Sequence, residues 1–235
     1  MTSPDQHFEL DCTRLPPAPH VLIHLIDLCH KTDISFNELE SIINKDSALC
    51  AKVIAIANSA AFTQWNDSRD LKRILVVLGT KTVKSIALTS MVHQFFSQFS
   101  TDLGEVMGGF WLDALICANI CRKLAKLTGY EYPDEAHLSG LLHQLGQLIL
   151  LTNDPERYQT FLRSVTTQDS LSHKEFEHYG ISSADLGAKV IGDWKLESML
   201  HDAIKYQHMP ADLMHDTHHL IKFTNLGSQL CNRIN

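Results

Sequence analysis

The 235-residue sequence predicts an all-α fold. Three observations carry the prediction. Apolar residues recur at helical spacing from near the N-terminus to the last turn. Start and stop signals bracket those stretches: Ser paired with an acidic residue three positions on, Pro at opening positions, Gly at closing ones. Finally, no stretch offers a good strand candidate. Residues 76–77 and 148–151 are short apolar runs, but each lies inside a longer pattern of period 3.6.

Taken in order, Val21, Leu22, Leu25, Ile26 and Leu28 form the first apolar stripe, after a start at Pro16, Pro17 and Pro19. Ser35 and Glu38 make a capping box ahead of Leu39, Ile42 and Ile43. Asp46 caps a run through Leu49, Val53, Ile54, Ile56 and Ala57, which Asn58 and Ser59 end. A polar connection covers roughly residues 63–70. Leu71, Ile74, Leu75 and Leu78 keep helical spacing up to Gly79, a C′ glycine, and Thr80 caps a further helix reaching about Gln98. Residues 100–104 mark a boundary between two helical subdomains. Beyond it, a long helix over 110–127 is entered at Gly108 and Gly109 and closed by Gly129. Pro133 and Asp134 open a helix that contains Leu138, Leu141, Leu142, Leu145, Leu148 and Ile149. Asp154 and Pro155 are N-cap and N1 of another. Ser172 with Glu175 forms a second capping box for a short helix that Gly180 stops, and Ser182 with Asp185 starts the next. Helices near 196–206 and 217–233 complete the chain.

Composition narrows the function. The chain is 44% hydrophobic, enough for a real core. Its net charge is −7 and no basic run exceeds two residues, which argues against a nucleic-acid partner. The apolar stretches are short and interrupted by polar residues, so no bilayer-spanning helix is expected and no membrane partner. The opening residues 1–12 have neither a basic nor an apolar region of a secretory signal. Six cysteines without a CxxC are expected to be reduced core thiols in a cytoplasmic protein.

Fourteen histidines invite a metal hypothesis. His143 sits on an apolar stretch, but its neighbour Gln144 is neutral and offers a cation no charge, so a buried hydrogen-bonded position is expected instead. His173 and His178 are five residues apart, about 140° around a helix, and do not converge as an HExxH pair does. Asp212, His215, Asp216 and His219, with His208 and His218 nearby, fit a solvated helix start better than a metal site. Nucleophilic chemistry is not indicated either. There is no GxSxG elbow or Gly-x-Gly loop, and the apolar neighbours of Cys117 and Cys121 keep those thiols inert.

Several stretches together resemble the HDOD family. They are Leu15, Pro16, Pro17 and Pro19; the run from Ile42 through Asp46 to Leu49; Ala57, Asn58, Ser59 and Phe62; Leu78 and Gly79; Phe110 and Trp111; the segment 136–147; Tyr179 and Gly180 with Leu186 and Gly187; Trp194; and Ala203, Ile204, His208, Met209 and Pro210. The resemblance covers residues 12–232 in consistent order. It implies an HD-domain-like helical bundle, about 105–232, preceded by a smaller N-terminal helical subdomain, about 12–100. HDOD domains resemble the HD and HD-GYP phosphohydrolases but generally lack their metal ligands. Here Asp113 stands where active relatives carry a His, Gln144 replaces the Asp of the His143 pair, Ser183 replaces a His, and Gln207 replaces the first of a His pair whose second member is His208. Thr224 and Asn225 occupy the region of a late Asp.

The implied function is a non-catalytic bacterial signal-transduction domain that needs no cofactor or metal. It would control a linked or separate module of GGDEF, EAL or receiver type, with cyclic-dinucleotide signalling as the associated context. A vestigial cleft lined by Trp111, Asp113, His143, Gln144, Ser183, Gln207 and His208 could take a small ligand. The alternative is a divergent metal-dependent nucleotide phosphohydrolase, in which Asp113, His143 and His208 converge with His137 or His201. The chain ends within or just after a helix, which suggests an N-terminal piece of a longer protein carrying a GGDEF diguanylate cyclase.

Overall fold

The structure is a computed structural model, and it describes residues 18–31, 33–59, 69–98, 104–165, 171–196 and 198–234. The motif residues 15–17 and 60–62, the polar connection up to 68 and the break at 100–103 lie outside the described residues. Every regular element among the described residues is helical, as the periodicity requires.

The N-terminal helices follow their capping signals. Helix α1 (His20–Asp27) buries Leu22, Leu25 and Ile26 and runs into a 3-10 turn, Leu28–His30. The Ser35 hydroxyl accepts from the Glu38 N–H at 3.1 Å and starts α2 (Phe36–Ile43). Glu38 does not return the bond to complete a box; its carboxylate pairs with Lys31 at 2.6 Å. Asp46 accepts from the Leu49 N–H at 2.9 Å at the start of α3 (Ser47–Ala57), and Asp70 accepts from the Lys72 N–H at 3.0 Å at the start of α4 (Leu71–Ser97). Gly79 interrupts α4 with φ +79° and ψ 157°, so the predicted stop is a kink between two arms of one long element. Over an 18-residue window α4 is apolar enough to cross a membrane, with a mean hydropathy of 1.4, which its interrupted apolar stretches do not reveal one by one. Half of that window is buried inside the protein, and Lys84 is buried within it.

The C-terminal half departs from the sequence expectations in three places. Helix α5 (Gly104–Leu127) begins before the glycines thought to mark its start; Gly108 and Gly109 lie inside it, where a Cβ would meet nothing within 4 Å. Its C-terminus closes on Gly129 at φ +70°, with the Tyr130 N–H on the Ala125 carbonyl and the Gly129 N–H on that of Lys126, a Schellman arrangement. The segment that opens at Pro133 is not one helix but two, α6 (Pro133–Leu142) and α7 (Leu145–Asn153), broken at His143 and Gln144. Asp154 then caps α8 (Pro155–Ser164), accepting from the Arg157 N–H at 3.4 Å. In α9 (Leu171–Tyr179) Ser172 is already helical, so it caps nothing, and Glu175 points into the interior. Ser182 accepts from the Asp185 N–H at 3.1 Å and starts α10 (Ser183–Asp193). Helices α11 (Ser198–Lys205) and α12 (His219–Ile234) follow.

One apolar core runs through both halves. Buried residues from Leu22 in α1 to Ile204 in α11 belong to a single cluster, and a smaller one lies under α12 around Cys117, Ala136, Leu220 and Phe223. Three crossings are made close by glycines. A Cβ on Gly140 of α6 would sit 2.5 Å from the Ala118 Cα of α5. One on Gly146 of α7 would overlap the Ser183 carbonyl of α10, and one on Gly227 of α12 would lie 2.6 Å from the Cys121 sulfur. Trp194, at the end of α10, stands edge-on to Phe95 of α4 with ring centres 5.0 Å apart.

The halves are also tied by charge. The Lys84 ammonium, on α4, lies 2.6 Å from Asp134 of α6 and donates to the Leu28 carbonyl at 3.1 Å. Arg122 of α5 reaches the other Asp134 oxygen at 3.2 Å and donates to the Ser85 hydroxyl at 2.8 Å.

Candidate functional site

The break between α6 and α7 places His143 and Gln144 at a corner rather than on a continuous helix face. His143 is buried, and its Nδ1–H donates to the Gly140 carbonyl at 2.7 Å. That bond fixes the neutral tautomer with Nε2 as an acceptor. Burial, followed by the nearby His208, brings the imidazole pKa down to about 4, with the Gly140 bond opposing.

Gln207, just past α11, is also buried. Its Nε2 donates to the His143 carbonyl at 2.8 Å and to the Ile204 carbonyl at 3.0 Å. Asn225 of α12 continues the chain, donating to the carbonyls of Gln207 at 2.8 Å and Met209 at 3.0 Å. Gln229 in turn donates to the Asn225 side chain at 2.8 Å. The side-chain oxygens of Gln144 and Gln207 are buried without a donor among the described residues. The two amides thus offer buried acceptor oxygens at this corner.

Ser183 reaches the corner through α10. Its carbonyl packs on Gly146, and its N–H donates to Glu175 at 2.7 Å. The other Glu175 oxygen accepts from the Tyr158 hydroxyl at 2.6 Å. Burial pushes the Glu175 carboxyl up, and the hydrogen bonds from Tyr158 and Ser183 hold it down. The sequence assigns Glu175 to a cap and singles out neither Tyr158 nor Gln229, and Asn225 only as standing in the region of a late Asp. A tyrosine seventeen residues before a buried glutamate carries no local signal.

The Trp111 ring and the Asp113 backbone contact other elements. The Trp111 ring packs edge-on against His93 of α4, with ring centres 4.6 Å apart, and against Phe96 at 6.3 Å. The Asp113 carbonyl accepts from the Cys231 thiol of α12 at 3.5 Å, and its charge helps to raise the Cys117 and Cys231 thiols. The two further histidines of the phosphohydrolase alternative also point elsewhere. His137 is paired with Thr89 of α4 at 3.1 Å, and burial takes its pKa down to about 3; His201 pairs with its neighbour Asp202 at 2.9 Å.

Among the described residues no three or more His, Cys, Asp or Glu side chains come together as a metal-binding group. The corner supplies one imidazole already committed through Nδ1, a second imidazole and two neutral amides. This donor set does not fit a two-metal centre, which needs carboxylates to offset the ions' charge and to hold a bridging water. The other histidine-rich stretches are surface features. His173 and His178 are exposed on α9, and His215 and Asp216 pair with one another in solvent.

Comparison with known proteins agrees with this architecture. The chain is similar to a crystal structure of an HDOD domain protein of unknown function from Geobacter sulfurreducens, with a TM-score of 0.79, 19% identity, and coverage of 92% of this chain and 72% of that one. It is similar to a candidate signal transduction protein from Marinobacter aquaeolei (TM-score 0.74, 22% identity, 94% and 50% coverage) and a candidate phosphohydrolase from Shewanella amazonensis (TM-score 0.70, 24% identity, 94% and 78% coverage). By sequence it is 20% identical over 196 residues to an uncharacterised protein of Treponema pallidum, covering 83% of this chain but only 37% of that longer relative. The family model for the HDOD domain matches residues 15–210, most of the chain, and the chain belongs to the HDOD family.

Proposed function

We propose that this HDOD domain is a non-catalytic regulatory module of cytoplasmic signal transduction, controlling a linked or partner output module such as a GGDEF diguanylate cyclase. The observation that carries the proposal is the use made of the residues at metal-ligand positions. Gln207 spends its amide on the His143 and Ile204 carbonyls, and His143 spends Nδ1 on Gly140. These side chains join α6, α7, α11 and α12 and leave no anionic cage for a metal. A corner of this kind holds helices in a fixed relation, as an interaction module requires. Its buried acceptor oxygens suit a small ligand that brings N–H or O–H donors. The candidate signal transduction protein of Marinobacter aquaeolei, similar in fold, is in keeping with such a role.

Two measurements test it. Elemental analysis of tag-free protein, with a phosphodiesterase assay in Mn²⁺ and Fe²⁺, is expected to give substoichiometric metal and no turnover. Stoichiometric metal with hydrolysis that disappears in His143→Ala would establish the divergent phosphohydrolase instead. The partner is tested at the gene. A GGDEF-coding segment beyond the Asn235 codon is expected, together with cyclase activity that changes when the HDOD segment is deleted. A stop codon, or a rate indifferent to the deletion, removes the linked-cyclase proposal.

A further inference from the structure

A second site lies away from the corner, at the seam between the N-terminal and C-terminal helices. We propose that the cavity there binds a small polyanion, a phosphorylated ligand of nucleotide size. The inference is independent of the regulatory function proposed above.

The cavity has a volume of about 430 Å³, within the range of small-molecule sites. Its charge is the first argument. Lys31, Lys81, Lys84, Arg122 and Lys126 line it, against Glu131 and Asp134, an excess of three positive charges on a chain whose net charge is −7. The floor and the rim differ. On the floor, Asp134 is shared by Lys84 and Arg122, so one carboxylate answers two cations. The Arg122 Nε–H is buried, with no acceptor among the described residues. On the rim, Lys81 and Lys126 are exposed and make no ion pair among the described residues, while Lys31 is held by Glu38.

Backbone polarity is the second argument. Lys81 and Thr82 lie in the first turn of the α4 arm that starts after the Gly79 kink, and Tyr132, Pro133 and Asp134 are the first residues at the start of α6. No side chain caps α6, whose N-cap is Tyr132. Two helix starts thus open on one cavity, and the positive end of each helix dipole favours negative charge there. Burial depresses the Arg122 pKa below its ordinary value, which an anion beside it would relieve. The acidic pair does not cancel this field. Asp134 is consumed by the floor, and Glu131 alone faces the unpaired lysines.

The test uses isothermal titration calorimetry of the whole chain with two probes, ADP and inorganic pyrophosphate. Saturable binding of either is expected, weakening as salt is raised from about 50 mM to about 300 mM. Tighter ADP than pyrophosphate binding assigns the site to organic phosphates, and equal binding to the phosphate group alone; both support the site. The Lys81→Glu, Lys126→Glu double variant should raise Kd by about ten-fold or more at an unchanged melting temperature. Lys123→Glu, exposed on α5 but outside the cavity, should leave Kd within about two-fold. Absence of saturable heat with both probes overturns the proposal. So does equal weakening by Lys123→Glu and the double variant, because the attraction would then be diffuse surface charge.

Discussion

Replacing Gly140 with alanine sets two physical effects against each other, and the structure decides between them. In a helix interior, alanine is more favourable than glycine by about 1 kcal/mol, so Gly140→Ala should stabilise α6 if α6 stood alone. It does not stand alone. The new Cβ would lie 2.5 Å from the Ala118 Cα and 2.6 Å from its nitrogen, where ordinary contact starts near 3.4 Å. Relief requires α5 and α6 to separate by close to 1 Å, and no flexible side chain is present to yield instead. Overpacking of this kind costs about 1–3 kcal/mol, and the backbone on both sides places it at the upper end. The net expectation is a loss of about 2 kcal/mol, a fall in melting temperature of about 4–8 °C for a chain of this size. Gly109→Ala, in α5, is the control. It has the same helix propensity gain and nothing within 4 Å of the new Cβ, so it should melt about 2–4 °C higher. Both are read by thermal unfolding at fixed pH, followed by circular dichroism at 222 nm. If Gly140→Ala melts as high as Gly109→Ala, the backbone contact between α5 and α6 is wrong.

Other predictions concern the buried polar groups. Gln207→Ala removes the donor on the His143 carbonyl and should destabilise by about 1–3 kcal/mol in urea unfolding, with an unchanged midpoint arguing against the corner. Tyr158→Phe leaves Glu175 with fewer donors and should cost about 1–3 kcal/mol at neutral pH; adding Glu175→Gln to that variant should recover part of it, and a further loss would refute the pairing. Acid should weaken the fold through His143 and His137, whose folded pKa values of about 4 and about 3 lie below the ordinary 6.5. Between those values the unfolded chain holds the extra protons. The stability from each histidine is therefore complete above about 6.5 and is lost as pH falls through the folded value, with a slope of up to about 1.4 kcal/mol per pH unit each. Glu175, raised in the fold, acts in the opposite sense within its own window, gaining stability as pH falls. The urea midpoint should be lower at pH 5 than at pH 7, and the difference should shrink in His143→Gln.

Much of the fold was legible because local chemistry sets it. Ser35, Asp46, Asp154 and Ser182 each cap the helix that follows, and Gly129 and Gly180 take positive φ at the stops. The errors arise where tertiary contacts override a local signal. Gly108 and Gly109 look like a helix start but lie inside α5, where their backbone is free to stay helical. Ser172 and Glu175 match a capping box, yet Glu175 is taken by Tyr158 and Ser183 from other helices. The continuous apolar pattern from Leu138 to Ile149 hides the break at His143, because residues buried on every side give no phase to read. The candidate site was legible only as positions. Sequence order could place His143, Gln207 and Asn225 in one region, but not show that amides and carbonyls join them. Nor could it place the cavity cations, which come from α4, α5 and the turn after α1.

The glycine crossings set how this domain can move. Gly227 packs on the Cys117 and Cys121 sulfurs, whereas at Gly140 and Gly146 the facing backbones meet with no side chain in between. Rolling or sliding there drives backbone into backbone, whereas contacts made through long side chains can be re-formed in other rotamers. The α5–α6 and α7–α10 pairs are therefore each held in a fixed relation. The seam with α4 is closed by other means, an apolar core shared by both halves and the ion pairs of buried Lys84 and of Arg122 with Asp134. Sliding α5 past α6, or α7 past α10, is the motion this packing resists most, and a larger residue at either glycine would force the pair apart.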